Sequence, residues 1–284
     1  MKTLCIYHGN CQDGFGAAWA VRHALGKDNV EFFPGVYQTA PPDVTGRDVI
    51  MVDFSYKRPV IEEMAKVARS IQIFDHHASA EQDLAGYPLP GFNYPAVGPI
   101  AKVTAVFDMA RSGAGLAWDC FNPGVPRPSL ISVIEDRDLW RFAIDSTREI
   151  TAALFSYGYD FDLWDALMEE QALGDLLVEG EAIERKHHQD IANLLPVVQR
   201  EMSIGGIRMP VANLPLTLTS DAGHQMAVSA EGIAACYWDT PEGRVFSLRS
   251  INGGPDCQAI AVRYGGGGHV HAAGFRVTLG WEGD

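Results

Sequence analysis

Long apolar runs are missing from this sequence. No uninterrupted stretch approaches the roughly 20 residues needed to cross a bilayer, so no membrane span is expected and a cytoplasmic location is. The segment ahead of the polar His8-Gly9-Asn10 turn is too short for the apolar region of a secretion signal. Cysteine is sparse. Cys5, Cys11, Cys120, Cys236 and Cys257 are odd in number, scattered and without a C-x-x-C pair, which argues against a disulfide framework or a zinc knuckle. Positive charge is also short: 22 Lys and Arg face 36 Asp and Glu, leaving a formal charge of −14. That balance speaks against a broad basic face for long duplex nucleic acid, so any anionic substrate must meet a local source of positive charge. There is no P-loop, no GxGxxG dinucleotide fingerprint and no HExxH helix. What remains is a 284-residue chain, 47% hydrophobic, long enough for two compact domains.

The apolar segments alternate in kind. Residues 4–7 read as a short buried strand, followed by a helix over 16–25 that Gly26 ends. A strand over 48–52 stops at Asp53, a helix follows over 59–70, and a strand over 71–74 stops at Asp75-His76-His77. Strands separated by helices at this spacing predict an α/β fold with a mostly parallel sheet, in which ligands bind beyond the carboxyl ends of the strands. A further helix is expected over about 101–112. Residues 130–135 then lead into Asp136-Arg137-Asp138, read as a fourth acidic station. From about 161 to 195 the pattern is helical and amphipathic until Pro196 interrupts it, and beyond that strand-like segments suggest a second, smaller α/β domain.

Polar residues collect where the strands end. His8, Asp13, Asp53, Asp75, His76 and Asp136 supply imidazole and carboxylate groups, a mixture suited to Mn²⁺ and compatible with Mg²⁺ or another divalent ion. Two such ions about 3.5–4 Å apart can polarise a phosphoryl group and activate a bridging water, so no protein nucleophile is needed.

Phe74-Asp75-His76-His77 carries the Asp-His-His signature of the DHH phosphoesterases, Val52-Asp53 matches their second motif, and Asp136 falls where a fourth carboxylate is expected. The sequence resembles that family. The resemblance implies that Asp53 bridges two metals, that His8, Asp13, His76 and Asp136 ligate them, that Asp75 orients His76, and that His77 faces the substrate phosphate. The first motif departs from the pattern: His8-Gly9-Asn10-Cys11-Gln12-Asp13-Gly14 offers one histidine and one carboxylate where relatives carry a further acid. That argues against two tightly held ions: the site is expected to hold one strong ion and recruit a second with substrate, or to favour a different metal from its relatives. Cys11 is a candidate replacement, because thiolate suits soft or borderline metals, but a buried free cysteine at the foot of a helix is the plainer reading.

Near the other end, the stretch from Tyr264 to Phe275, with its run Gly265-Gly266-Gly267-Gly268-His269 and the later Ala272-Ala273-Gly274, resembles the DHHA1 signature. A glycine run lets backbone N–H groups approach a phosphate, and a following helix N-terminus would add favourable dipole. Gly266, Gly267, Gly268 and His269 are the expected substrate-binding residues, with Arg249 at a position where relatives place a phosphate-contacting arginine. The expected division is a DHH domain over 1–155, a helical connector over 156–200 and a DHHA1 domain over 201–284. The expected activity is metal-dependent hydrolysis of phosphoester bonds in short single-stranded oligonucleotides or small nucleotides, with no membrane or long-duplex partner and, by resemblance, a homodimer. A phosphoanhydride hydrolase of the exopolyphosphatase or pyrophosphatase kind and a catalytically impaired nucleotide-binding protein are the competing readings.

Overall fold

The computed structural model describes residues 2–37, 39–90 and 101–284. The chain divides into two compact units, Met1–Glu184 and Arg185–Asp284. The first unit runs β1 (Thr3–His8), α1 (Gln12–Leu25), β2 (Val30–Gly35), β3 (Asp48–Val52), α2 (Arg58–Val67), β4 (Ser70–Asp75), α3 (Ala78–Asp83), β5 (Val103–Phe107), α4 (Gly113–Phe121), α5 (Ser129–Asp138), α6 (Thr147–Leu154), α7 (Phe161–Leu167) and the first half of α8 (Ala172–Val198). Its five strands are all parallel, in the order β2-β1-β3-β4-β5. Strand order reverses between β1 and β3, and an open parallel sheet binds its ligand in the crevice that such a reversal creates.

Both faces of this sheet are covered, which is why its strands read as continuous apolar runs. Cys5, Tyr7, Ile50, Val52 and Phe74 point into one core with Phe15 and Trp19 of α1, Trp118 of α4 and Trp164 of α7. Leu4, Ile6, Val49, Met51, Ile71 and Ile73 point into the other with Ile61 and Met64 of α2. Trp164 is fully buried, and Leu167, Met168 and Leu176 join the same core. Residues 156–184 therefore pack as part of the sheet unit, in place of the separate connector expected there. Gly180 of α8 passes so close to α6 that a Cβ there would collide with the Glu149 carbonyl.

Two other expectations differ. The stretch 101–112 holds β5 and a loop, not a helix, because Val103-Thr104-Ala105-Val106-Phe107 is β-branched and aromatic and pairs in register with β4. The helix begins later, at Gly113, with Ser112 as N-cap accepting from Gly115 N at 3.1 Å. Pro196 does not end α8, which continues to Val198.

The second unit comprises the rest of α8, β6 (Gln199–Ile204), β7 (Ile207–Asn213), α9 (Thr219–Ser229), β8 (Ile233–Thr240), β9 (Gly243–Ser250), α10 (Cys257–Arg263), β10 (Gly267–His269) and β11 (Ala272–Val277). Its six-stranded sheet runs β10-β11-β9-β8-β7-β6, antiparallel except where β7 and β8 run parallel. The glycine run does not lead into a helix. Gly267 and Gly268 enter β10 and pair with Gly274 and Ala273 of β11, and the helix of this motif, α10, precedes the run. Among the described residues no helix is long and apolar enough to cross a membrane.

Candidate metal centre

The site assembles at the carboxyl end of the parallel sheet. β1 delivers His8; Gly9 and Asn10 turn the chain, and α1 starts beyond Cys11, placing Asp13 in its first turn. Gly14 is required here, because a Cβ would collide with the backbone and Cβ of His8. Asp13 is buried, and its carboxylate reaches across to the start of α4, accepting from Gly113 N at 2.6 Å and Ala114 N at 2.9 Å. A carboxylate at a helix N-terminus gains from both the unpaired N–H groups and the dipole. Two bonds still leave it lone pairs for a cation.

Asp53 follows β3 in the left-handed region, with φ of 54°, its N–H donating to Phe74 O at 2.9 Å. A non-glycine residue held there costs energy, and such strain concentrates at functional sites. Its side chain is 1% exposed. Oδ1 lies 3.0 Å from His76 Nε2 and Oδ2 lies 3.4 Å from His8 Nδ1, yet neither oxygen makes a well-formed hydrogen bond. Gly113 seals the arrangement from above, since a Cβ there would collide with Cβ and Cγ of Asp53.

His76 Nε2 is also 3.6 Å from Asp13 Oδ2 and 3.6 Å from Asp138 Oδ2. Asp75 is fully buried, and its Oδ1 accepts from His76 N at 2.8 Å and faces His77 Nδ1 at 2.7 Å. The Asp75 carboxylate therefore orients the His77 ring and holds the backbone of His76, in place of the expected orientation of the His76 ring.

Asp136 is the clear departure. Its carboxylate accepts from Ala143 N at 2.9 Å, Ile144 N at 3.1 Å and Thr147 Oγ1 at 2.6 Å, so it is used in holding the loop after α5. That loop includes Trp140, Phe142 and Ser146, all at positive φ. The carboxylate that joins the cluster is Asp138. The available signal was the Asp-Arg-Asp spacing itself, because residues two apart on a helix face nearly opposite ways.

Two adjoining donor sets with no residue in common result, brought together where Asp53 Oδ1 meets His76 Nε2. His8, Cys11 and Asp53 form one group, and Asp13, His76 and Asp138 another; within each, one ligand atom per residue lies within 4.8 Å of the others. The electrostatics fit a cation. Burial and the nearby Asp138 and Asp53 charges push Asp13 well above the ordinary carboxylate range. Burial acts against His76, but Asp53, Asp138 and Asp13 outweigh it and raise its pKa to about 11. Burial likewise opposes ionisation of Asp53, yet His76 and His8 hold it well below the ordinary range. Crowded carboxylates that draw protons onto neighbouring imidazoles are what a divalent ion would otherwise neutralise.

In the second unit, Arg249 lies on β9 with its guanidinium donating to Ser247 Oγ at 2.9 Å, Leu248 O at 2.8 Å and Ser220 Oγ at 2.8 Å. Gly266 N donates to Ala261 O at 2.9 Å, so this first glycine of the expected phosphate loop is tied to α10. His269 closes β10 opposite Ala272.

No family model matches the chain. It is 28% identical over 298 residues to an uncharacterized protein of Acanthamoeba polyphaga mimivirus, an alignment covering 96% of this chain and 66% of that protein. The chain thus spans just under two thirds of that relative. Among solved structures it is similar to RecJ of Thermus thermophilus in complex with Mn²⁺, at a TM-score of 0.53 and 16% identity, over 97% of this chain and 49% of RecJ. A manganese-bound RecJ exonuclease gives 0.52 and 16%, covering 97% and 86% of the two chains. The DHH domain of a member of a family of ribosomal proteins gives 0.52 and 12%, covering 98% and 83%. The fold is that of the DHH/DHHA1 phosphoesterases.

Proposed function

We propose that this chain is a divalent-metal-dependent phosphoester hydrolase acting on short single-stranded oligonucleotides or small nucleotides in the cytoplasm. The observation that carries the reading is Asp53: a buried carboxylate at a strained backbone position, with one oxygen near His8 and the other near His76, so that it stands where two donor sets adjoin at the reversal point of a parallel sheet. His8, Asp13, Asp53, His76 and Asp138 are the residues that would hold Mn²⁺ or a similar ion; Asp136 is not among them. Such ions polarise a phosphoryl oxygen and offset the charge that develops on it.

The chain's own residues do the rest. Asp53 draws the two histidines together, Asp13 fixes the start of α4 against the cluster, and Asp75 sets the ring of His77 for a phosphate oxygen. Arg249, Gly266, Gly267, Gly268 and His269 are assigned to the terminal phosphate or nucleotide, with the Arg249 fork already fixed by two hydroxyls and a carbonyl. A net charge of −14 disfavours long polyanions and supports short substrates.

The test is a panel of substrates assayed with Mn²⁺: short RNA, short DNA, 3′-phosphoadenosine 5′-phosphate and polyphosphate. Turnover of an oligonucleotide or nucleotide is expected. Turnover of polyphosphate alone would replace the proposal with a phosphoanhydride hydrolase.

A further inference from the structure

The His8, Cys11 and Asp53 set contains a sulfur where a hard-metal site would carry only nitrogen and oxygen, and the surroundings of Cys11 set it apart from the other thiols. Cys5, Cys236 and Cys257 are buried within the apolar cores, and Cys120, though partly accessible like Cys11, packs against one of those cores. Cys11 is partly accessible and has its ligand atom within 4.8 Å of those of His8 and Asp53.

Its backbone position sharpens the point. Cys11 is the N-cap of α1, at φ −131° and ψ 135°, yet its side chain caps nothing. Ser, Thr, Asp or Asn are the residues that stabilise a helix from this position. The helix therefore forgoes a cap, and the thiol faces the imidazole and carboxylate instead. Burial raises the pKa of the thiol, and the Asp53 and Asp13 charges add to this against the pull of His8, so the sulfur would give up its proton on binding a cation. Independently of the thiol, Asp53 brings a buried carboxylate, 1% exposed, whose two oxygens have no hydrogen-bond donor in good geometry.

We infer that Cys11 is a thiolate ligand in the His8, Cys11 and Asp53 half of the centre, making that half selective for Zn²⁺, Co²⁺ or Fe²⁺ over Mn²⁺ and Mg²⁺. This rests on the metal-centre reading above. Sulfur ligands favour borderline and soft ions, whereas the Asp13, His76 and Asp138 half, with two carboxylates and one imidazole, accepts harder ones. The centre is then asymmetric, and the missing carboxylate of its first motif is a change of metal preference.

The experiment uses the full chain, stripped of metal by chelation, as wild type, Cys11→Ser and Cys11→Asp, each titrated with Co²⁺ and followed by absorption. The wild type should show a near-ultraviolet sulfur-to-cobalt charge-transfer band that both variants lack, and the variants should bind Co²⁺ at least about tenfold more weakly. Cys11→Asp should keep its affinity for Mn²⁺. Cobalt bound by the wild type without the band, or a band that survives in Cys11→Ser, overturns the inference and leaves the metal centre standing. No cobalt bound at all overturns both. Should the variants not fold, alkylation of the wild type mapped by mass spectrometry decides: Zn²⁺ should protect Cys11, and undiminished labelling contradicts its ligation.

Discussion

Asp136 and Asp138 stand two residues apart on α5 and do different work: Asp136 binds two backbone N–H groups and the Thr147 hydroxyl, whereas Asp138 Oδ2 lies 3.6 Å from His76 Nε2. Two helical steps rotate a side chain by about 200°, which sends one carboxylate into the loop and the other into the cluster. Asp138→Ala should weaken divalent-metal affinity and reduce turnover by about 100-fold with little change in stability. Asp136→Ala should instead lower stability by about 2–4 kcal/mol in urea unfolding, because buried donors lose their acceptor. The reverse pattern would return Asp136 to the centre.

Gly113→Ala offers a test of sign. Alanine in a helix normally stabilises by about 0.5–1 kcal/mol over glycine. Here a Cβ would collide with the Asp53 side chain, so the variant should be destabilised by about 1–3 kcal/mol and lose most of its metal affinity. A more stable, fully active Gly113→Ala protein would mean that Asp53 is not held as described.

Much of this centre was legible because apolar strands ended abruptly in polar residues: Val52 into Asp53, and Phe74 into Asp75, His76 and His77. A parallel sheet buried on both faces leaves only its ends for polar groups, so the break in hydrophobicity marked the site. What escaped was set by contacts distant in sequence. Gly113-Ala114-Gly115 is a poor helix opening by propensity, and its glycines make sense only once Asp53 and Glu135 are found against them. The Gly265 to Gly268 run reads like a loop before a helix, but pairing with β11 decides its form. The choice between Asp136 and Asp138 depended on the rotation of α5 about its axis, which a ten-residue helix of weak amphipathicity does not announce.

Acid should loosen the α4 and α5 region through Asp119. Its carboxylate accepts from Arg127 Nε at 2.8 Å and Arg111 Nη1 at 3.0 Å. Partial burial pushes its pKa up, but Arg127 and Arg111 outweigh this and hold it below the ordinary value. A group with a depressed folded-state pKa stabilises the fold fully above the unfolded-state value and loses that contribution as pH falls. Asp119→Asn should therefore lower Tm near neutrality and flatten its decline below about pH 4. An unchanged acid limb would exclude Asp119 as its source.

In the second unit, Arg249→Ala should raise KM by about tenfold or more with kcat nearly constant, as expected for loss of a charge-assisted phosphate contact. His269→Ala should behave alike. A collapse of kcat at unchanged KM would move either side chain into the chemical step.

The most direct measurement is hydrolysis of a short RNA by chelated protein before and after Mn²⁺ is restored, with Asp53→Ala run in parallel and its fold checked by circular dichroism. The account predicts no turnover without metal, recovery on addition, and a loss of more than about 100-fold in the folded variant under metal-replete conditions. Turnover that survives either chelation or the loss of Asp53 would contradict it.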